Sequence, residues 1–252
     1  MLFIINPISG KGKKQKLAKR LLAKGYKVAF TEYAGHAEML AREATDEVVV
    51  AVGGDGTVNE VARGIVGTEK ALQTIEQGEC KRMDTAEING RPFFSVCGVG
   101  FDAVVSERFA NHGKRGLANY IKLGLDTLRS YKPESYSVEI DGERIETKAL
   151  IITIGNSDQW GNNAKIAPLA DCCDGILDIT IVEKFSVLEM PILALRLMTG
   201  TLQRSRKVHC YKGKSIRITR QSEGVAHADG DWFMESATLN IKILPSTLKV
   251  IA

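Results

Sequence analysis

The chain has 252 residues, 44% hydrophobic and 25% charged, ordinary globular values that allow one large domain or two modest ones with a sizeable core. Its net charge of +4 is too small to point to nucleic acid, and its five cysteines show no CxxC pair, zinc spacing or disulfide-scaffold density, which fits a reducing cytosol. The opening apolar run from Met1 is too short and lacks the basic flank of a signal peptide, and the nearest approach to a membrane span, 187–198, is broken by Glu189, Pro191 and Arg196. A soluble protein that meets any lipid at a surface is expected.

In chain order, Leu2–Ile5 reads as a buried strand, followed by the glycine-containing loop Asn6-Pro7-Ile8-Ser9-Gly10-Lys11-Gly12 and a helix with Leu17, Ala18, Leu21 and Leu22 on one face. Lys27–Thr31 and Val48–Val52 predict further strands of the parallel type, alternating with helical patterns as in βαβ units. Val48–Val52 runs into Gly53-Gly54-Asp55-Gly56-Thr57-Val58-Asn59-Glu60, and Val58, Val61, Ala62 and Ile65 recur at helical spacing, so this stretch is strand, tight loop, helix. Two readings stand. Glycines without a Cβ let backbone N–H groups approach a phosphate at a helix N-terminus, and Asp55 beside phosphates makes sense if it holds Mg²⁺ or orients a hydroxyl. Alternatively the stretch is a structural βα turn capped by Thr57. Both glycine loops fall on one edge of the sheet, where open α/β folds bind ligands. Neither has the dinucleotide fingerprint or the spacing of a Walker lysine loop.

After Gly78 the pattern turns antiparallel. Asn89-Gly90 joins Arg82–Ile88 to Pro92–Val99, and Asp141-Gly142 joins Ser135–Ile140 to Arg144–Lys148, both hairpin dipeptides. Helices are expected at Ala103–Ala110, Leu117–Arg129 and Leu188–Met198. Further strands are expected at Leu150–Ile154, Leu177–Val182, Lys207–Tyr211, Ser215–Thr219 and Thr238–Ile243. Basic residues gather at Lys11, Lys13, Lys14, Lys16, Lys19 and Arg20, and again at Arg204, Arg206, Lys207, Lys212 and Lys214. They are either solvated faces or attractors for phosphates or an anionic membrane surface.

The octet from Gly53 to Glu60 resembles the GGDGT signature shared by diacylglycerol kinases, sphingosine kinases, NAD kinases and phosphofructokinases, in its lipid-kinase version. Asn6 to Gly12 is similar to the NPxSGxG block of the same lipid kinases. Gly98-Val99-Gly100-Phe101-Asp102-Ala103 resembles their GxGFDA stretch; Gly155-Asn156, Ala167-Pro168 and Asp174-Gly175-Ile176-Leu177-Asp178 resemble their GN, AP and DGxLD region; and Asp229-Gly230-Asp231 resembles their DGE motif. By this resemblance the chain is identified as a member of the diacylglycerol-kinase-like lipid kinase family, along essentially its whole length.

The resemblance implies an α/β fold. A small parallel nucleotide-binding domain (1–80, with 246–252 returning to it) is joined to a larger antiparallel β-rich lipid-substrate domain (81–245), with the active site between them. It implies transfer of the ATP γ-phosphoryl group to the hydroxyl of a lipid such as diacylglycerol. Asn6, Pro7, Ile8, Ser9, Gly10, Thr31 and Gly53 to Asn59 (Gly53, Gly54, Asp55, Gly56, Thr57, Val58, Asn59) would cradle ATP, with Asp55 helping to place Mg²⁺. Asp231, one methylene shorter than the family's glutamate, would act as general base supported by Asp229. Asp174, Asp178 and the Ile176 carbonyl would hold a structural Mg²⁺, although Cys173 stands where many relatives have another aspartate. A polar turn is the competing reading of both aspartate-rich stretches. The implied partners are ATP and a lipid at a membrane surface, with no nucleic acid and a homodimer left open. A relative that binds without turnover and an NAD kinase are the alternative functions. His227, near Asp229, is expected to be a satisfied histidine.

One departure stands out. In these kinases the GGDGT helix is followed by a strand and a Gly-(Thr/Ser)-Gly-Asn loop, whereas here Gly67-Thr68 leads directly into Glu69–Ile75, which resembles a later helix with Leu72 and Ile75 at helical spacing. The segment is either deleted in the gene or carried by the natural protein and absent from this chain. Its loss is expected to leave the small sheet a strand short, with apolar faces of its neighbours exposed.

Overall fold

The computed structural model describes residues 1–8, 14–68, 71–73, 80–111, 117–161, 163–186 and 188–251. It divides into two compact units, Met1–Asp84 with Pro245–Ala252, and Thr85–Leu244.

The first unit is a parallel sheet built from β1 (Leu2–Ile5), β2 (Lys27–Phe30), β3 (Val48–Val52), β4 (Ala71–Gln73) and the end of β15 (Thr238–Ile251), in the order β15-β4-β3-β1-β2. Helices α1 (Lys14–Ala23), α2 (His36–Glu43) and α3 (Asp55–Ile65) connect the strands. Ala18 and Leu21 of α1 pack on Ile5, Val50 and Val52, while Val61 and Ile65 of α3 are fully buried. Leu22, expected on the inner face of α1, is 56% exposed. Its position falls one residue past the stripe that the 3.6-residue period can turn inward.

The expected helix over 69–75 is corrected at its centre. Ala71–Gln73 forms a strand that pairs in parallel with β3 on one side and with Lys249–Ile251 on the other. Ile75 lies outside the described residues. The sheet position beside β3 is therefore filled, and the missing segment leaves no gap in the described ladder. A three-residue strand has no periodicity to read, and Leu72 is there by pairing rather than by propensity.

The second unit is antiparallel. Its strands are β5 (Cys80–Ile88), β6 (Arg91–Phe93), β7 (Val96–Gly100), β8 (Glu134–Ile140), β9 (Glu143–Gly155), β10 (Leu177–Glu183), β11 (Val208–Gly213), β12 (Ser215–Arg220), β13 (Gly224–Ala228) and β14 (Asp231–Glu235), with helices α4 (Phe101–Asn111), α5 (Leu117–Ser130) and α6 (Met190–Thr199). One path of pairing runs β14-β13-β7-β9-β8-β12-β15, with β10 and β11 branching from β9. Asn89-Gly90 and Asp141-Gly142 adopt left-handed φ at both residues, the geometry that two-residue hairpins require. Side chains alternate between two cores: Ile152, Ile154, Leu177, Ile179 and Ile181 enter one with Tyr136 and Val138, whereas Ile151 and Val182 enter the other with Leu193 and Leu202. The strand expected as Pro92–Val99 is interrupted at Phe94 and Ser95, for a reason that belongs to the candidate site.

Because Leu72 pairs on both sides, Leu72→Pro removes a ladder amide from an interior strand and is expected to lower the urea midpoint of unfolding by an amount equivalent to roughly 3 kcal/mol. Leu72→Val keeps the amide and should cost no more than about 1.5 kcal/mol. Equal midpoints for the two variants would mean that β4 is not paired as described.

Candidate active site

In the first unit, the chain leaves β1, β2 and β3 at one edge of a parallel sheet, and the residues there bind one another. Asn6 N donates to Val52 O at 2.9 Å, Asn6 Nδ2 lies 3.2 Å from Thr57 Oγ1, and Asn6 Oδ1 accepts from Ile8 N at 3.0 Å. Thr31, 8% exposed, donates its amide to Ile5 O at 3.0 Å. Helix α3 opens at Asp55 with Gly54 as N-cap and no side-chain cap, so the capping role considered for Thr57 is not observed; its hydroxyl faces Asn6 instead. A Cβ on Gly53 would stand 2.2 Å from Thr57 Oγ1, so this glycine is required by the protein itself. A Cβ on Gly54 would meet nothing within 4 Å. The Thr57 and Val58 amides close the first turn on Gly54 O at 2.9 and 3.2 Å, and the N-terminus of such a helix carries partial positive charge. Pro7 and Ile8 are exposed, Val58 and Asn59 lie in the first turns of α3, and Ser9, Gly10 and the Asp55 side chain lie outside what the structure describes.

Sequence reasoning did not single out Lys14. Its ammonium donates to Asn6 O at 3.0 Å and Val52 O at 3.3 Å, tying the ends of β1 and β3 together, and burial lowers its pKa.

In the second unit, Asp229-Gly230 forms the two-residue turn between β13 and β14, with φ of 51° and 85°. The Asp229 carboxylate accepts the amides of Phe94 (2.9 Å), Ser95 (2.8 Å) and Val96 (3.1 Å). On the opposite side of the same segment, the buried Asn156 donates its side-chain amide to Phe94 O at 2.8 Å and its backbone amide to Ser95 O at 2.8 Å. Phe94 and Ser95 leave the ladder because their polar groups are spent on these two motifs. The Asp229 carboxylate is thereby tied to three backbone amides and anchors the turn. Asp231 opens β14 beyond the turn and is exposed.

Asp102 and His227 are buried together. Asp102 Oδ2 accepts from His227 Nε2 at 2.9 Å and from Thr153 Oγ1 at 3.1 Å, while Oδ1 accepts from Ala103 N at 3.0 Å. His227 Nδ1 is buried with no partner among the described residues. A Cβ on Gly98 would lie 2.8 Å from Ile152 O and 3.0 Å from both Asp102 Oδ2 and His227 Nε2, so the GxGFDA glycine makes room for this pair. Burial, reinforced by Asp229 and Asp102, raises the pKa of Cys97 well above its ordinary value and keeps it a thiol. Arg220, also missed in the sequence, is 7% exposed and donates to Val225 O, Gly224 O and Glu235 O, locking the far end of the hairpin that carries Asp231.

The carboxylates expected to hold a structural Mg²⁺ face a lysine in this structure. Asp174 Oδ1 accepts from Ile176 N at 3.0 Å. Lys212 stands opposite Asp178 in the β10–β11 register and sets its ammonium 3.2 Å from Asp178 Oδ2 and 3.8 Å from Asp174 Oδ2. Asp178 Oδ2 is buried without a well-aligned hydrogen bond, so its charge is met by this ion pair. Burial raises the Asp178 pKa, Lys212 opposes the rise and Asp174 adds to it. A divalent ion needs several oxygen ligands around one point, and here a cation already occupies the approach while the further aspartate is Cys173.

Comparisons with known proteins identify the family of the chain. Residues 1–87 match the diacylglycerol kinase catalytic domain family, and residues 95–252, more than half of the chain, match the family described as YegS C-terminal NAD kinase beta sandwich-like domain. The chain belongs to the diacylglycerol-kinase-like lipid kinase family. A protein named diacylglycerol kinase from Bacillus subtilis is 26% identical, covering 91% of this chain and 88% of its own length; one from Staphylococcus saprophyticus is 28% identical with the same coverage. A crystal structure of a putative diacylglycerol kinase from Bacillus anthracis superposes with a TM-score of 0.78 at 23% identity, covering 99% of this chain and 94% of that one. An NAD kinase from Archaeoglobus fulgidus in complex with ATP shares the fold at a TM-score of 0.58 and 10% identity, covering 100% and 93%. The Bacillus subtilis match runs over 272 residues, more than this chain's 252, so that relative carries residues this chain lacks.

The Lys212 pairing sets an expectation for metal removal. In the absence of nucleotide, EDTA should leave the thermal midpoint unchanged, whereas Lys212→Met should lower it by a few degrees through an uncompensated buried carboxylate worth roughly 1–3 kcal/mol. A fall of several degrees in the parent protein on chelation would restore the metal reading.

Proposed function

We propose that this protein transfers the γ-phosphoryl group of ATP, taken up as its Mg²⁺ complex, to the hydroxyl of diacylglycerol. The observation that carries the reading is an exposed carboxylate, Asp231, on a turn whose geometry is fixed by Asp229, in a chain whose other unit presents an uncapped helix N-terminus at the ends of parallel strands. The names of the relatives support the choice of acceptor. Asn6, Thr31, Thr57 and the backbone from Gly53 to Asn59 are assigned to the nucleotide, with Gly54 leaving space for its phosphates. Asp55 is assigned to the Mg²⁺ that accompanies ATP.

In the step itself, Asp231 accepts the proton of the lipid hydroxyl as its oxygen bonds to the γ-phosphorus. The bridging P–O bond to ADP breaks, ADP leaves, and the proton passes from Asp231 to water. Phosphoryl transfer asks the protein mainly for positioning and charge stabilisation, so a weak base held on a rigid turn suffices.

A second reading, nucleotide binding without turnover, has one observation in its favour: the chain lacks residues that a relative of the same family carries.

Incubation with radiolabelled ATP and diacylglycerol, with sphingosine and NAD as competing acceptors, separates these possibilities. Labelled phosphatidic acid should form, and Asp231→Asn should reduce its rate by about 10²-fold or more with ATP affinity unchanged. Label on NAD, or ATP binding with no labelled acceptor, would overturn the reading; an Asp231→Asn variant of parental rate would remove the base from Asp231.

A further inference from the structure

Helix α6 presents an apolar face to solvent. Of its ten residues only Arg196 is charged, and a helix apolar around its whole circumference is expected to be covered. One side is: Leu193 is 7% exposed and packs with Val182 and Leu202. The other is not. Ile192, Leu195 and Met198 are 49%, 58% and 47% exposed, and Leu188, two residues before the helix, is 92% exposed. The spacing of 192, 195 and 198 puts three side chains on one face of the helix, and Leu188 precedes it in the turn. Single exposed leucines are ordinary; three on one helix face with Leu188 beside them are a patch that calls for a partner.

The charge around this stripe identifies what it meets. From 184 through 207 the chain carries five basic residues, Lys184, Arg196, Arg204, Arg206 and Lys207, against one acidic residue, Glu189, a net +4 equal to that of the entire protein. Glu183, just before, is already engaged by His209 at 2.9 Å and Lys207 at 3.7 Å. Glu189 is turned back to accept the Ser186 amide. Lys184, Arg204 and Arg206 are exposed and make no ion pair among the described residues. An apolar stripe inside a basic surround is the pattern of a helix that lies in the interface of an anionic bilayer, with aliphatic side chains at the acyl boundary and cations among the phosphates.

We infer that α6 and the basic residues beside it dock this protein on an anionic membrane surface. The inference rests on surface features away from Asp231 and the nucleotide residues, and it deepens the lipid-kinase reading by giving the protein its route to an acceptor dissolved in a bilayer.

Vesicle co-sedimentation of the full chain tests it, with phosphatidylcholine alone against phosphatidylcholine containing phosphatidylglycerol. Binding is expected on the anionic vesicles and should weaken with salt. The pair Ile192→Ser/Leu195→Ser and the pair Arg204→Ala/Arg206→Ala should each weaken it by about tenfold or more. Circular dichroism and the thermal midpoint should be unchanged, since all four side chains are exposed or in turns.

Parental binding by either pair, or no preference of the parent for anionic vesicles, overturns the proposal. So does a shift in sedimentation coefficient of the Ile192→Ser/Leu195→Ser protein toward a smaller species with vesicle binding intact, which would assign the stripe to a second copy of the chain. Transfer to a short-chain, water-soluble diacylglycerol keeps the kinase reading separate: the α6 variants should retain it, and its absence in a parent that binds vesicles would defeat the kinase reading alone.

Discussion

The geometry of the second unit depends on how two residues, Phe94 and Ser95, are held outside the β-ladder. Buried backbone amides and carbonyls must find partners, and a strand that breaks off in the middle of a sheet orphans several at once. Here the amides go to the Asp229 carboxylate and the carbonyls to Asn156. Hydrogen bonds to a charged acceptor are worth roughly 1.5–3 kcal/mol each, enough to fix a turn that would otherwise be free to flex. Two motifs far apart in sequence are thereby pinned to one short segment. The position of Asp231 follows from that pinning, with Arg220 closing the other end of its hairpin.

Beside this segment the buried Asp102–His227 pair joins α4 to β13, and Gly98 exists to let it form. The first unit uses the same economy on a smaller scale. Asn6 binds Thr57, and Lys14 binds the carbonyls of Asn6, just past β1, and of Val52, the last of β3, so the two strand ends are tied together. Gly53 is consumed by this packing, whereas Gly54 is left open. Two adjacent glycines thus differ: a Cβ would clash with Thr57 at one and meet open space at the other.

Most of the architecture was legible in the sequence, because strong local signals agree with the final fold. Val48–Val52, the hairpin dipeptides and the α3 pattern were readable for that reason. The failures have physical causes. The β4 strand is three residues long and exists only through its neighbours, too short for its own period to outweigh the helical spacing of Leu72 and Ile75. Arg144–Lys148 and Leu150–Ile154 fuse into one strand because β9 exchanges partners along its length. The site motifs were visible, but their division of labour was not. That Asp229 is spent on backbone amides requires knowing that Phe94 and Ser95 lie against it, a contact across 135 residues. Lys212 likewise looked like one member of a basic cluster until the β10–β11 register set it opposite Asp178. Charge and spacing gave the residue types; pairing decided their roles.

The Asp229 clamp is the claim on which this account turns, and amide hydrogen exchange measures it directly. In the parent protein the amides of Phe94, Ser95 and Val96 should be protected although Phe94 and Ser95 stand outside the ladder. In Asp229→Ala they should exchange at least about tenfold faster, with the β3 amides of Val50 and Val52 unchanged. Equal protection in the two proteins, or fast exchange of these three amides in the parent, would contradict it.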